Sequence, residues 1–143
     1  MRPLPEPLKI AVFASGRGSN FLAIHDAITS GTIRNAAIVV VVSNNSDAGA
    51  LAAARERGIS ALHISSKQFD DVRAFRAGLL AALERHGVNF IALAGYMKKV
   101  DAEIVRAYRH RIVNIHPALL PSFGGPGMYG MHVHEAVIAS GAV

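Results

Sequence analysis

The chain has 143 residues, 51% of them hydrophobic and 17% charged, with a formal net charge of +5 and no cysteine. That is enough for one domain around one core, too apolar for disorder, and it excludes disulfides, thiolate nucleophiles and thiolate metal sites. No apolar run approaches the ~20 residues that span a bilayer, and the basic residues fall on separate predicted helices rather than one nucleic-acid-binding stripe.

Residues 1–8 carry Pro3, Pro5 and Pro7 and read as a short extended lead-in. Nothing in them forms the apolar block of a signal peptide, and with the lack of cysteine this fits a cytoplasmic protein. From Lys9 onward, strand-length apolar runs alternate with helix-period segments. Lys9 to Ala14 is the first predicted strand. Ser19 is the expected N-cap of a helix reaching Ser30, with Gly31 beyond it. Ala36 to Val42 is wholly apolar and largely β-branched, as a parallel strand covered on both faces should be. Asp47 is the expected cap of a second helix closed by Gly58, and Ala61 to Ile64 is a short third strand. Phe69, Val72, Leu79, Leu80 and Leu83 form the apolar stripe of a third helix. Its early Asp70 and Asp71 and late Arg85 and His86 suit the helix dipole. Val88 to Ala94, a helix over Asp101 to Tyr108, Arg111 to Ile115, a glycine- and proline-rich loop over Leu119 to Gly130 and a helix over His132 to Ser140 complete the series. This order predicts a doubly wound, mainly parallel α/β sheet between two helical layers. Its ligands should lie beyond the carboxyl ends of the strands.

The first such end is Ala14-Ser15-Gly16-Arg17-Gly18-Ser19-Asn20. Two glycines let a ligand approach the backbone, the helix start offers free N–H groups, and Arg17, Ser19 and Asn20 add donors. A dinucleotide fingerprint would need glycine where Phe21 stands and an acid where Ser43, Asn44 and Asn45 stand. A nucleotide P-loop would need Gly-Lys-Ser/Thr. A monophosphate site remains, or a plain glycine turn with a serine cap.

At the fifth predicted strand, Asn114 and His116 are two apart and so face one side, with Ile115 turned into packing and Pro117 ending the strand. A histidine can take and return a proton, and an asparagine amide can donate to a developing oxyanion. Together they suit attack of an amine on a carbonyl; otherwise they merely cap a loop. His132, His134 and Glu135 lack the i, i+4 spacing of a helical zinc pair, so no metal is expected. Met97, Lys98 and Lys99 read as a loop after the fourth strand. His25, His63, His86 and His110 have no partner pattern and read as structural or exposed.

Three segments together resemble the phosphoribosylglycinamide formyltransferase family: Ala14 to Asn20, Leu93 to Val100 (LAGYMKKV) and Asn114 to His134. The similarity runs in order from Lys9 to the end. The Gly-Met-Tyr-Gly-Met-His-Val-His run separates it from methionyl-tRNA formyltransferases. The resemblance implies a Rossmann-like catalytic domain over 9–143 that moves a formyl group from 10-formyltetrahydrofolate to the amine of glycinamide ribonucleotide, in purine synthesis. It implies small-molecule partners without nucleic acid, membrane or metal, and a homodimer as one arrangement. Gly18, Ser19 and Asn20 match the phosphate-side contacts. Tyr96, Met97, Lys98, Lys99 and Val100 match part of the folate pocket. Asn114 matches the residue that binds the formyl oxygen, within reach of the folate, and His116 the general acid/base.

This sequence departs from the family pattern at Lys98 and Lys99, where an arginine and an apolar residue are common. It departs again at Val72, where an arginine often helps hold folate; here Arg73 stands beside it. The family's catalytic aspartate follows a further strand, and after His116 the only acid is Glu135. The resemblance therefore implies a domain incomplete at its C-terminus, impaired as 143 residues. Two other readings are a formyltetrahydrofolate hydrolase, which shares this core, and a non-catalytic phosphate-ligand or folate-binding module.

Overall fold

The computed structural model describes residues 6–115. Within them are five strands, β1 (Leu8–Phe13), β2 (Ala36–Ser43), β3 (Ser60–His63), β4 (Phe90–Ala94) and β5 (Ile112–Ile115). Four helices connect them: α1 (Ser19–Thr29), α2 (Gly49–Glu56), α3 (Val72–Arg85) and α4 (Ala102–Ala107), with a 3₁₀ turn over Ser66–Gln68. The strands form one sheet in the order β3-β2-β1-β4-β5, parallel at every pairing. The chain winds outward from β1 through β2 to β3, then crosses back to β4 and β5. Right-handed crossovers therefore put α1 and α2 on one face and α3 and α4 on the other. The contacts agree, with α1 touching α2 and α3 touching α4. The doubly wound parallel fold expected from the sequence is the fold observed.

The core follows the sheet's centre. In β1, flanked by strands on both sides, Ala11, Val12 and Phe13 are fully buried, and Val40 and Val41 are fully buried beside them in β2. Val39 is the extra residue of a bulge where the pairing steps from Ile10↔Ile38 to Ala11↔Val40. From the helices Phe21, Leu51, Leu83 and Ile104 fill the two layers. Burying each such side chain contributes about 1.5–3 kcal/mol, so apolar packing, more than the ion pairs among the described residues, holds the sheet together. Among the described residues no helix is long and apolar enough to cross a membrane.

Three local expectations are corrected. Asp47 does not cap α2. Its own N–H donates to Asn45 Oδ1 at 3.0 Å, an Asx turn that delays the helix to Gly49, with Ala48 at the cap position. Ser19 does not cap α1; Gly18 stands at the cap and Ser19 opens the helix. Val72 does not join the core stripe of α3. It is 59% exposed in the first turn, whereas Leu79 and Leu83 are buried as expected. Asp71, by contrast, caps α3 by accepting from the Ala74 N–H at 2.7 Å.

Candidate active site at the switch point of the sheet

Because β2 flanks β1 on one side and β4 on the other, the connections leaving β1 and β4 diverge. The opening between their carboxyl ends is where open α/β sheets bind ligands. The loops after β1, β2 and β4 meet there on one side chain. Ser15 donates its N–H to the Gly95 carbonyl at 3.1 Å, its Oγ accepts from the Met97 N–H at 2.8 Å, and its hydroxyl donates to Asn44 Oδ1 at 2.5 Å. Sequence reasoning gave neither Ser15 nor Asn44 a role. Their one signal is position, each just past the end of a central strand. Ser15→Ala leaves the Met97 N–H and the Asn44 amide unanswered. It is expected to cost about 1 kcal/mol of stability by denaturant titration, with full-length folding retained; no change would show that the latch is unimportant.

The start of α1 is shaped by glycine. Gly18 has φ 91°, in the left-handed region, and a Cβ there would lie 2.7 Å from Ala50 Cα. No side chain caps the helix, so its first N–H groups face the opening with the positive end of the dipole. The loop is braced from behind by α2. The Ala50 N–H donates to the Gly16 carbonyl at 3.1 Å, and a Cβ on Gly49 would meet the Arg17 carbonyl oxygen at 2.9 Å. Asn20, in the first turn, is only 7% exposed, and its side chain makes no hydrogen bond to a described residue. Its Nδ2 lies 3.7 Å from the place a Cβ would occupy on Gly95, which puts the amide beside the β4 loop. A buried amide without a partner is costly, and a polar ligand atom would relieve that cost.

Beyond Gly95, whose φ is 76°, the β4 loop forms one wall of a cavity of about 400 Å³. Tyr96, Lys98, Lys99 and Val100 line this wall, and Val72 and Phe75 of α3 face them. The exposure of Val72 is thus exposure at the rim of a cavity. The Tyr96 ring stands edge-on to Phe13 at 5.3 Å, and burial pushes its pKa up, keeping the phenol neutral. Met97 and Arg73 do not line the cavity. The Met97 side chain is 81% exposed, and its contribution is the N–H that binds Ser15. A second hollow of about 400 Å³ opens alongside, sharing Asn44, Ser65 and Lys98, and bordered by Lys67, with no carboxylate among its described lining residues.

Asn114 is in register with Leu93, which is in register with Phe13. The three project to one face at the same height, two strands apart from end to end. Asn114 is exposed while Val113 and Ile115 on either side are buried, the alternation expected from the sequence. His116 lies outside the described residues, as do the loop over 119–130, His132, His134, Glu135 and the helix expected there. Among the described residues no group of three or more His, Asp or Glu is placed to hold a metal.

A formyl transferase family model matches residues 8–143. The chain is 45% identical over 139 residues to a chloroplastic phosphoribosylglycinamide formyltransferase of Arabidopsis thaliana, covering 96% of this chain and 47% of that one. It is 35% identical to the phosphoribosylglycinamide formyltransferase of Bacillus subtilis, covering 93% of this chain and 68% of that one. The fold superposes on the crystal structure of glycinamide ribonucleotide transformylase 1 from Geobacillus kaustophilus with a TM-score of 0.72 at 36% identity, over 89% of this chain and 67% of that one. The chain thus spans about half the length of the plant relative it matches.

Proposed function

The chain belongs to the formyl transferase family, and on that premise we propose that it transfers a formyl group from 10-formyltetrahydrofolate to the amine of N1-(5-phospho-D-ribosyl)glycinamide, a step of de novo purine synthesis. The observation that carries this reading is the meeting, at the ends of β1 and β4, of an uncapped helix start, an Asn20 amide with no side-chain hydrogen bond among the described residues, and a mainly apolar cavity. The first suits a phosphate, held by the N–H groups of Gly18 to Asn20 and by the Ser19 and Asn20 side chains. The second suits a flat aromatic donor against Tyr96, Val100 and Phe75, with Lys98 and Lys99 beside any carboxylate it carries.

In the proposed reaction the amine of the ribonucleotide attacks the formyl carbon and a C–N bond forms. The carbonyl oxygen becomes an oxyanion, which the Asn114 amide steadies by donating to it. His116 takes the proton that the amine sheds. The oxyanion then collapses, the bond to N10 of the folate breaks, and His116 returns the proton to N10. No covalent enzyme intermediate and no metal enter these steps. The reading includes a catalytic domain over 9–143 and a cytoplasmic location, with small molecules as partners.

The test is an assay of the protein, at the length its gene encodes, with both substrates, following formylated ribonucleotide by mass spectrometry. Product formation is expected. Binding of both substrates without product would refute the proposal, and formate release without ribonucleotide would identify a hydrolase instead.

A further inference from the structure

The two walls of the cavity between α3 and the β4 loop are joined at its edge by an ion pair. Arg76 follows Phe75 on α3, and Asp101 follows Val100 at the end of the loop. The Arg76 guanidinium donates from Nε to Asp101 Oδ1 at 2.8 Å and from Nη2 to Oδ2 at 3.1 Å, a two-pronged fork that fixes both distance and angle. We propose that this pair is a clasp that sets the separation of the two cavity walls and so positions the folate donor; this rests on the functional reading above.

Three observations carry the assignment. The pair spans 25 residues of sequence and ties together the two walls that the cavity needs at a set spacing. The Asp101 side chain is only 12% exposed and is held twice, since Oδ1 also accepts from the Glu103 N–H at 2.8 Å as the cap of α4. Both carboxylate oxygens are therefore engaged within the protein, although Asp101 borders the cavity. The Arg76 hydrogen bonds, with smaller help from the Glu103 N–H, also hold the Asp101 carboxyl below the usual carboxylate range, against a partial opposing effect of burial. The folded state thus favours the ionised form, and the clasp weakens only as pH falls through that depressed value.

The two partners have unequal consequences. Asp101→Asn keeps a good helix cap and removes the charge. Arg76→Gln leaves a carboxylate at the cavity edge with no cation to neutralise it, where it repels an anionic donor. With 10-formyltetrahydrofolate as probe, Arg76→Gln should raise the donor KM about tenfold and Asp101→Asn about threefold. The double variant should return to the Asp101→Asn level, and Arg76→Lys should fall between wild type and Arg76→Gln. The ribonucleotide KM and kcat should stay within about twofold throughout. A thermal midpoint that drops with donor KM unmoved would reduce the pair to a structural brace and overturn the clasp. So would a double variant worse than either single one. Wild-type protein that binds no folate would overturn the functional reading and the clasp with it, a result distinguishable from wild-type binding that the variants leave intact.

Discussion

Asn114→Ala is expected to lower turnover roughly 100- to 1,000-fold, the usual consequence of removing one donor from an oxyanion site. The side chain stands exposed between buried Val113 and Ile115, so its amide supports no packing that the substitution would disturb. Its removal should leave the fold intact and the ribonucleotide affinity within about threefold, because the phosphate site proposed above lies on another loop, around Gly18 to Asn20. His116→Ala should act on the same step through the proton and lower turnover roughly 100- to 10,000-fold. In the proposed reaction the pair serves one transition state, so the double variant should be little worse than the poorer single one. Steady-state kinetics with calorimetric binding of the ribonucleotide checks all of this. Near-normal turnover in either single variant would remove that residue from the mechanism.

Gly18→Ala is expected to destabilise the protein by about 2–4 kcal/mol, summing left-handed backbone strain with overpacking. The strain arises because φ 91° is a conformation that side-chain-bearing residues rarely adopt, and the overpacking because a new Cβ would sit 2.7 Å from backbone of α2. Backbone cannot swing aside as a flexible side chain can, so the loop must shift, taking with it the N–H groups of the helix start. Ribonucleotide affinity should fall with stability. Gly16→Ala is the control two residues away. It meets nothing within 4 Å and has no positive φ, so it should be near neutral in denaturant titration. Equal effects of the two substitutions would show that the contact with Ala50 does not shape the loop.

Much of this was readable in the chain. The β-branched run at 36–42 can only be a strand covered on both faces, and the alternation with helix-period segments then requires parallel strands with crossovers. Asp71, read from the chain as an early acid that suits the helix dipole, is in the structure the residue that caps α3. The errors came where a local signal met a tertiary competitor. Ser19 is a better cap than Gly18 on propensity, but the contact with Ala50 demands a residue without a Cβ at the turn. Val72 has the spacing of a core residue, but the third helix begins at the cavity, so its first turn has a hollow to face rather than a sheet.

Hydrophobic period, β-branching and turn chemistry act over a few neighbouring residues, and they settled the class of fold, the order of its elements, and the glycine-rich loop and Asn114 as places to look; the 96–100 loop stood out only through the family resemblance. Which groups across those places touch depends on segments 25 to 82 residues apart being brought side by side. Ser15 reaching Met97, Ala50 pressing on Gly18, and Arg76 closing on Asp101 are products of that assembly. No short-range pattern encodes them, because each residue of a pair looks ordinary until the sheet order puts its partner within hydrogen-bond or van der Waals reach.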